Sequence, residues 1–119
     1  MVRTVVAAVS DLFFASKLKE AAAGAGVHLV FAGSLEETVE RAAQAHANLV
    51  LLDLNGEGYS RLDAVRALKA DPRTRSATTV GYLSHVMTEL KEAAEAAGCD
   101  RVLARSAFVK LLPKILAEA

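Results

Sequence analysis

Only one cysteine, Cys99, occurs in this chain of 119 residues. A lone thiol excludes an internal disulfide and suits a reducing cytosol. Beside Gly98, Cys99 reads as a small packed or half-exposed residue, not a redox centre. An excess of one charge sign is missing too. Fourteen Lys and Arg balance fourteen Asp and Glu, so no net field draws the chain to nucleic acid or to an anionic membrane. No apolar run is long enough to cross a bilayer. Met1-Val2-Arg3 leads straight into a short apolar stretch ending at Ser10-Asp11, with no small-residue cleavage site, so no leader is expected. Repeats, low-complexity segments and linkers are absent as well. The expectation is a free-standing cytoplasmic domain, spanning 1–119, without an attached output module.

What remains is an ordinary globular composition, 53% hydrophobic and 24% charged, and a length that suits one domain with a real core. Strand and helix patterns alternate from end to end. Thr4 to Val9 is apolar and β-branched and reads as a first strand. Asp11 to Ala23 carries apolar residues at helical spacing, Phe14, Leu18 and Ala22, with Ala25 continuing the row. Ser10 or Asp11 can cap that helix, and Gly24 and Gly26 end it. Val27 to Phe31 is a second strand. Ser34 with Glu37 three residues later makes a capping box for a helix running to about His46. A third strand ends at Asp53. Ser60 or Arg61 opens the next helix, with Leu62, Val65 and Leu68 inward, and Asp71-Pro72 stops it. Thr78 to Leu83 is a fourth strand, and a helix from about Val86 to Ala97 follows. Arg101 to Ala104 is a brief fifth strand. A last helix follows Ser106. Pro113 complicates it, since a proline in a helix interior costs ~3 kcal/mol. Either regular helix begins near Val109 or Lys110, or the helix is kinked.

Five βα units with right-handed crossovers predict a doubly wound α/β fold. It is a five-stranded parallel sheet in the flavodoxin-like order 2-1-3-4-5, in three α/β/α layers. The most telling segment is Asn48-Leu49-Val50-Leu51-Leu52-Asp53, followed by Leu54-Asn55-Gly56-Glu57-Gly58. An unalternating apolar run closed by a carboxylate is a buried parallel strand delivering an acid to the sheet's C-terminal edge. In open α/β sheets that edge is where ligands bind.

Four segments resemble the receiver domain of bacterial response regulators, over nearly the whole chain. Leu49-Val50-Leu51-Leu52-Asp53-Leu54 resembles the strand bearing the phosphorylated aspartate. Ala64 to Arg75 is similar to the helix and turn that follow it. Tyr82-Leu83-Ser84-His85 resembles the end of the fourth strand with its Thr or Ser switch residue. Ala96 to Arg105 resembles the approach to the lysine after the fifth strand. The resemblance implies a role in two-component signal transduction. It also implies Mg²⁺ beside the phosphoacceptor, held by two acids at the end of the first strand. Those positions align with Val9 and Ser10, which offer no ligand and a poor one. Asp11 is one residue further on, more readily a helix cap, though a small register shift would bring it to the metal. Arg105 stands where the lysine is usual, and Ser106 where a proline is. Ser84 keeps the switch hydroxyl. Val102 replaces the usual aromatic, so the usual rotamer switch is lacking. Two glycines after Asp53 suggest a mobile loop.

Each candidate has a functional and a structural reading. Asp53 is a phosphoacceptor, or an inherited acid paired with Arg105, ionised and with a lowered pKa. Ser84-His85 is a polar switch, or His85 a metal ligand, base or interaction residue at the functional edge; a helix-capping or loop role is favoured, since no second His or Cys has metal spacing. His28 and His46 read as surface residues. Phe13 lies near the pocket rim, where it covers the empty acid site or meets a partner. The favoured reading is a degenerate receiver-like domain acting by protein–protein contact, with no cofactor. Its expected partners are a sensor kinase, another receiver or an output protein, or a second copy paired through helix four, strand five and helix five. The competing reading is a working phosphoacceptor in a phosphorelay: Asp11 and Asp53 hold Mg²⁺, Ser84 contacts the phosphoryl group and Arg105 replaces the lysine. A small-molecule binder is disfavoured, because Val9-Ser10-Asp11-Leu12 is no glycine-rich phosphate loop.

Overall fold

A computed structural model describes residues 3–84 and 87–119; His85, and Val86 at the expected start of the fourth helix, lie outside the described residues. Ten elements alternate: β1 (Thr4–Ala8), α1 (Leu12–Ala25), β2 (His28–Phe31), α2 (Leu35–Gln44), β3 (Leu49–Asp53), α3 (Arg61–Ala70), β4 (Thr78–Leu83), α4 (Thr88–Ala96), β5 (Arg101–Ala104) and α5 (Arg105–Ala117). All the strand pairings are parallel, and the order is β2-β1-β3-β4-β5. This is the flavodoxin-like α/β fold.

The alternation of side chains along each strand divides the core in two. Val5, Ala7, Leu49, Leu51, Val80 and Tyr82 point to the side covered by α1 and α5. Val6, Ala8, Val50, Leu52 and Leu83 point to the side covered by α2, α3 and α4. Both faces of β1 and β3 are buried, which is why their sequences do not alternate. On the first side Tyr82, Phe14 of α1 and Phe108 of α5 form a triangle of rings, with the Tyr82 centroid 4.8 and 4.6 Å from the two Phe rings and those 5.9 Å from each other.

The helix ends follow local chemistry. Asp11, not Ser10, caps α1: its Oδ1 accepts from the N–H groups of Phe13 and Phe14 at 2.9 and 3.3 Å. The helix passes through Gly24 and stops only at Gly26, whose φ of 69° suits a residue without Cβ. Ser34 Oγ accepts from Glu37 N–H at 3.1 Å, and Glu37 Oε1 accepts in return from Gly33 N–H, one residue earlier than a strict capping box has it. That helix ends at Gln44, two residues short of the expected His46, which sits at φ 50°. Ser60 caps α3.

The late start proposed for the last helix is corrected. α5 begins at Arg105, directly after β5, and Pro113 stands about two turns inside it. Phe108, Leu112, Ile115 and Leu116 form a buried stripe on this helix. Their packing outweighs the local cost of a proline whose own side faces solvent.

Candidate functional site

Asp53 is the last residue of β3, and its neighbour across the sheet is Tyr82 in β4. It shares the face of Leu49 and Leu51, so its carboxylate stands at the C-terminal edge on the α1 and α5 side. It is partly buried, and Oδ1 accepts from Asn55 N–H at 3.1 Å. Burial pushes its pKa up. The Asn55 N–H and the guanidinium groups of Arg61 and Arg105 pull it down, Asp11 adds to the push, and the net shift is upward.

The expected Asp53–Arg105 pair, with a lowered Asp53 pKa, is therefore corrected. Arg105 Nη2 lies 3.5 Å from Asp11 Oδ2, and its guanidinium sits over the Phe14 ring, 4.5 Å from the centroid. The reason is placement. Arg105 leaves β5, two strands from β3, and the strand between carries Tyr82 stacked under Phe14. Both side chains of the Arg105–Asp11 pair are well exposed, so it contributes roughly 0–1 kcal/mol.

The remaining described candidates do not converge on Asp53. Val9 is packed in the core, with 5% of its surface exposed. Ser10 is exposed, and its Oγ meets Arg61 Nη2 at 3.1 Å. Ser84 follows β4; its N–H donates to Asn55 Oδ1 at 2.6 Å, and its hydroxyl makes no hydrogen bond to Asp53. Phe13 is 77% exposed, beside Leu12 at 85%. It faces solvent and does not cover the acid site. Val102 is partly buried and, with Leu83, Met87, Thr88, Lys91 and Ala104, lines a hollow of about 280 Å³ between α4 and β5. The Tyr82 hydroxyl, buried on the Asp53 side, has no hydrogen-bond partner among the described residues. Burial, reinforced by the Asp53 charge, pushes its pKa far upward.

Sequence reasoning missed Arg61. It begins α3 yet is only 2% exposed. Its Nε donates to Ala8 O at 3.2 Å, Nη1 to Glu57 O and Tyr59 O at 2.7 and 2.9 Å, and Nη2 to Ser10 Oγ. The Tyr59 ring lies 3.8 Å from the guanidinium carbon. Gly56 passes so close that a Cβ there would be 2.8 Å from the same carbon. The loop from Asn55 to Ser60 is held by hydrogen bonds on both sides. Arg61 ties it to β1, and Asn55 ties it to the residue after β4 through Ser84 N–H and to the start of α4 through Met87 Sδ. Charged residues are rarely buried, so an arginine at a helix start reads as solvated. Tyr59 two residues earlier and the glycine before it were the available signals.

These residues do not fit the Mg²⁺ that the receiver resemblance implies. Mg²⁺ needs several oxygen ligands in near-octahedral geometry. Val9 supplies none, Ser10 Oγ already meets a guanidinium, and Asp11 is committed to the α1 cap and Arg105. Among the described residues no cluster of three or more His, Cys, Asp or Glu could hold a metal. A dication in this cleft would also meet like-charge repulsion from the buried Arg61 guanidinium.

No protein-family model and no curated protein matches the chain by sequence. Solved structures match it throughout. A chemotaxis response regulator of Vibrio cholerae superposes with a TM-score of 0.84 at 17% identity, covering 99% of this chain and 98% of that one. A response regulator from Thermotoga maritima matches at 0.79 and 16% identity, over 100% of both chains. A response regulator protein from Burkholderia pseudomallei, solved with a phosphorylated aspartic acid, calcium ion and citrate, matches at 0.81 and 18% identity, covering 96% of this chain and 66% of that one. Among the described residues no helix is long and apolar enough to cross a membrane. The chain has the fold of response-regulator receiver domains.

Proposed function

We propose that this domain is a cytoplasmic receiver-like signalling module that acts by protein–protein contact, with a degenerate phosphorylation site and no enzymatic turnover. One observation carries the reading: the carboxylate nearest to a metal-ligand position, Asp11, is spent on a helix cap and on Arg105, while the position before it meets a buried guanidinium. Asp53 thus stands at the phosphoacceptor position without an acid partner free to share a cation. Its partners are then of the response-regulator kind: a sensor kinase, another receiver, an output protein or a second copy. The face of α4, β5 and α5 offers the hollow beside Val102, with Lys91 at its edge, where an aromatic is usual in the family.

A second reading keeps Asp53 as a working phosphoacceptor. It is favoured by the position of Asp53 at the end of β3 and by the phosphorylated aspartic acid in the similar Burkholderia pseudomallei structure. In that reading Asp11 and Asp53 would hold Mg²⁺, Ser84 would contact the phosphoryl group and Arg105 would take the lysine's place. Incubation with acetyl phosphate and Mg²⁺, followed by intact-mass measurement, separates the two. The expected result is an unchanged mass. A gain of one phosphoryl group that disappears in Asp53→Asn overturns the first reading.

A further inference from the structure

We propose that the Arg61 guanidinium is the resident cation of this sheet edge: it joins the end of β1 to the β3–α3 loop where a divalent ion would otherwise bridge them, and its presence, beyond the missing acids, keeps metal out. The inference rests on the reading of the site as degenerate and adds what made it so.

The geometry is that of a built site. Four protein oxygens converge on one planar cation, two from the β1 side (Ala8 O and Ser10 Oγ) and two from the loop (Glu57 O and Tyr59 O). A metal would gather oxygens from the same two sides of the cleft; the guanidinium gathers them by donating hydrogen bonds. The loop is shaped to this group. Tyr59 stacks on it at 3.8 Å, and position 56 has no room for a Cβ beside it. The Tyr59 hydroxyl, in contact with Ala32 O and Thr38 Oγ1 at 3.2 Å each, carries the clamp on to the end of β2 and to α2. Thr38 is itself fully buried. A loop held in this way keeps one conformation whether or not Mg²⁺ is in solution.

Loss of the carboxylate and gain of the guanidinium are separable by mutation. Binding of MgCl₂ is measured by isothermal titration, with the melting temperature in parallel, on the wild type, on Ser10→Asp and on Ser10→Asp/Arg61→Met. The wild type and Ser10→Asp are expected to ignore Mg²⁺, because in Ser10→Asp the new carboxylate pairs with Arg61. The double variant is expected to bind it at least about tenfold more tightly than Ser10→Asp. Mg²⁺ binding by the wild type, equal binding by Ser10→Asp and the double variant, or a folded double variant that ignores Mg²⁺ overturns the proposal. If the double variant does not fold, Ser10→Asp/Arg61→Gln, which keeps a polar side chain in the cleft, takes its place under the same criteria. Phosphoryl uptake by the wild type without Mg²⁺ would end the functional reading and leave this one standing. Mg²⁺ binding without phosphoryl uptake would do the reverse.

Discussion

At Asp53 burial and charge pull in opposite directions. Two arginines and a backbone N–H favour the carboxylate, yet desolvation outweighs them and the pKa is raised. The consequence for stability has a definite sign. An acid with a raised pKa in the fold takes up a proton more readily there than in the unfolded chain. Its favourable contribution is complete below the unfolded value of ~4 and is lost as pH rises through the folded value. At neutral pH the ionised group is a penalty. Asp53→Asn should therefore melt at a higher temperature than the wild type at pH 7, with the gain shrinking as the pH falls through the raised folded value and gone below ~4. Thermal melts across that range check this, and an equal or lower melting temperature at pH 7 counts against it. The residue scale is also where the sequence was hardest to read. The position of Asp53 was plain from the apolar run before it. Its environment was not, because the neighbours that set it, Arg61, Tyr82 and Arg105, come from three other elements. Arg61 hid behind the general rule that charged side chains stay in water.

At the scale of elements, local signals worked wherever one local cause decides. β4 and β5 run over the expected residues because short apolar stretches are bounded by turns. α3 stops at Asp71-Pro72 because the residue before a proline leaves the helical region; Asp71 has ψ 122°. α5 differs because two causes compete. Pro113 removes the N–H that would bond to Val109 O, while four buried side chains hold the helix against the sheet. From the sequence the proline is visible and the packing is not. The same competition gives a test. Pro113 is exposed, so Pro113→Ala loses little packing and restores one helical hydrogen bond. The variant should be more stable by up to about 3 kcal/mol, the usual cost of an interior proline, lessened by the proline's stiffening of the unfolded chain. Urea unfolding measures it. A variant no more stable than the wild type would mean that the helix has already adapted to the missing bond.

For the whole molecule, the fold was legible because every level agreed: five apolar strands, five helices between them, and a length that fits one sheet. The surface is where that consistency ends. Net charge is zero, so long-range steering gives little selectivity, and recognition must come from short-range contact. The large exposed apolar side chains among the described residues are Leu12, Phe13, Met87 and Val109. The first three sit in the loops and first turns that follow β1 and β4, at the same edge as Asp53. Phe13 is the sharpest of them. The fold gains little from it, since its neighbour Phe14 takes the core position and Phe13 stays in solvent. Phe13→Ala should therefore change the folding stability by no more than about 0.5 kcal/mol. It should also weaken self-association in light scattering, or capture of a response-regulator partner in a pull-down, by removing an aromatic contact of the kind that dominates interfaces. A loss of stability would place Phe13 in the core after all. Unchanged stability with unchanged assembly and capture would leave the face of α4, β5 and α5, with the hollow beside Val102, as the contact surface to test next.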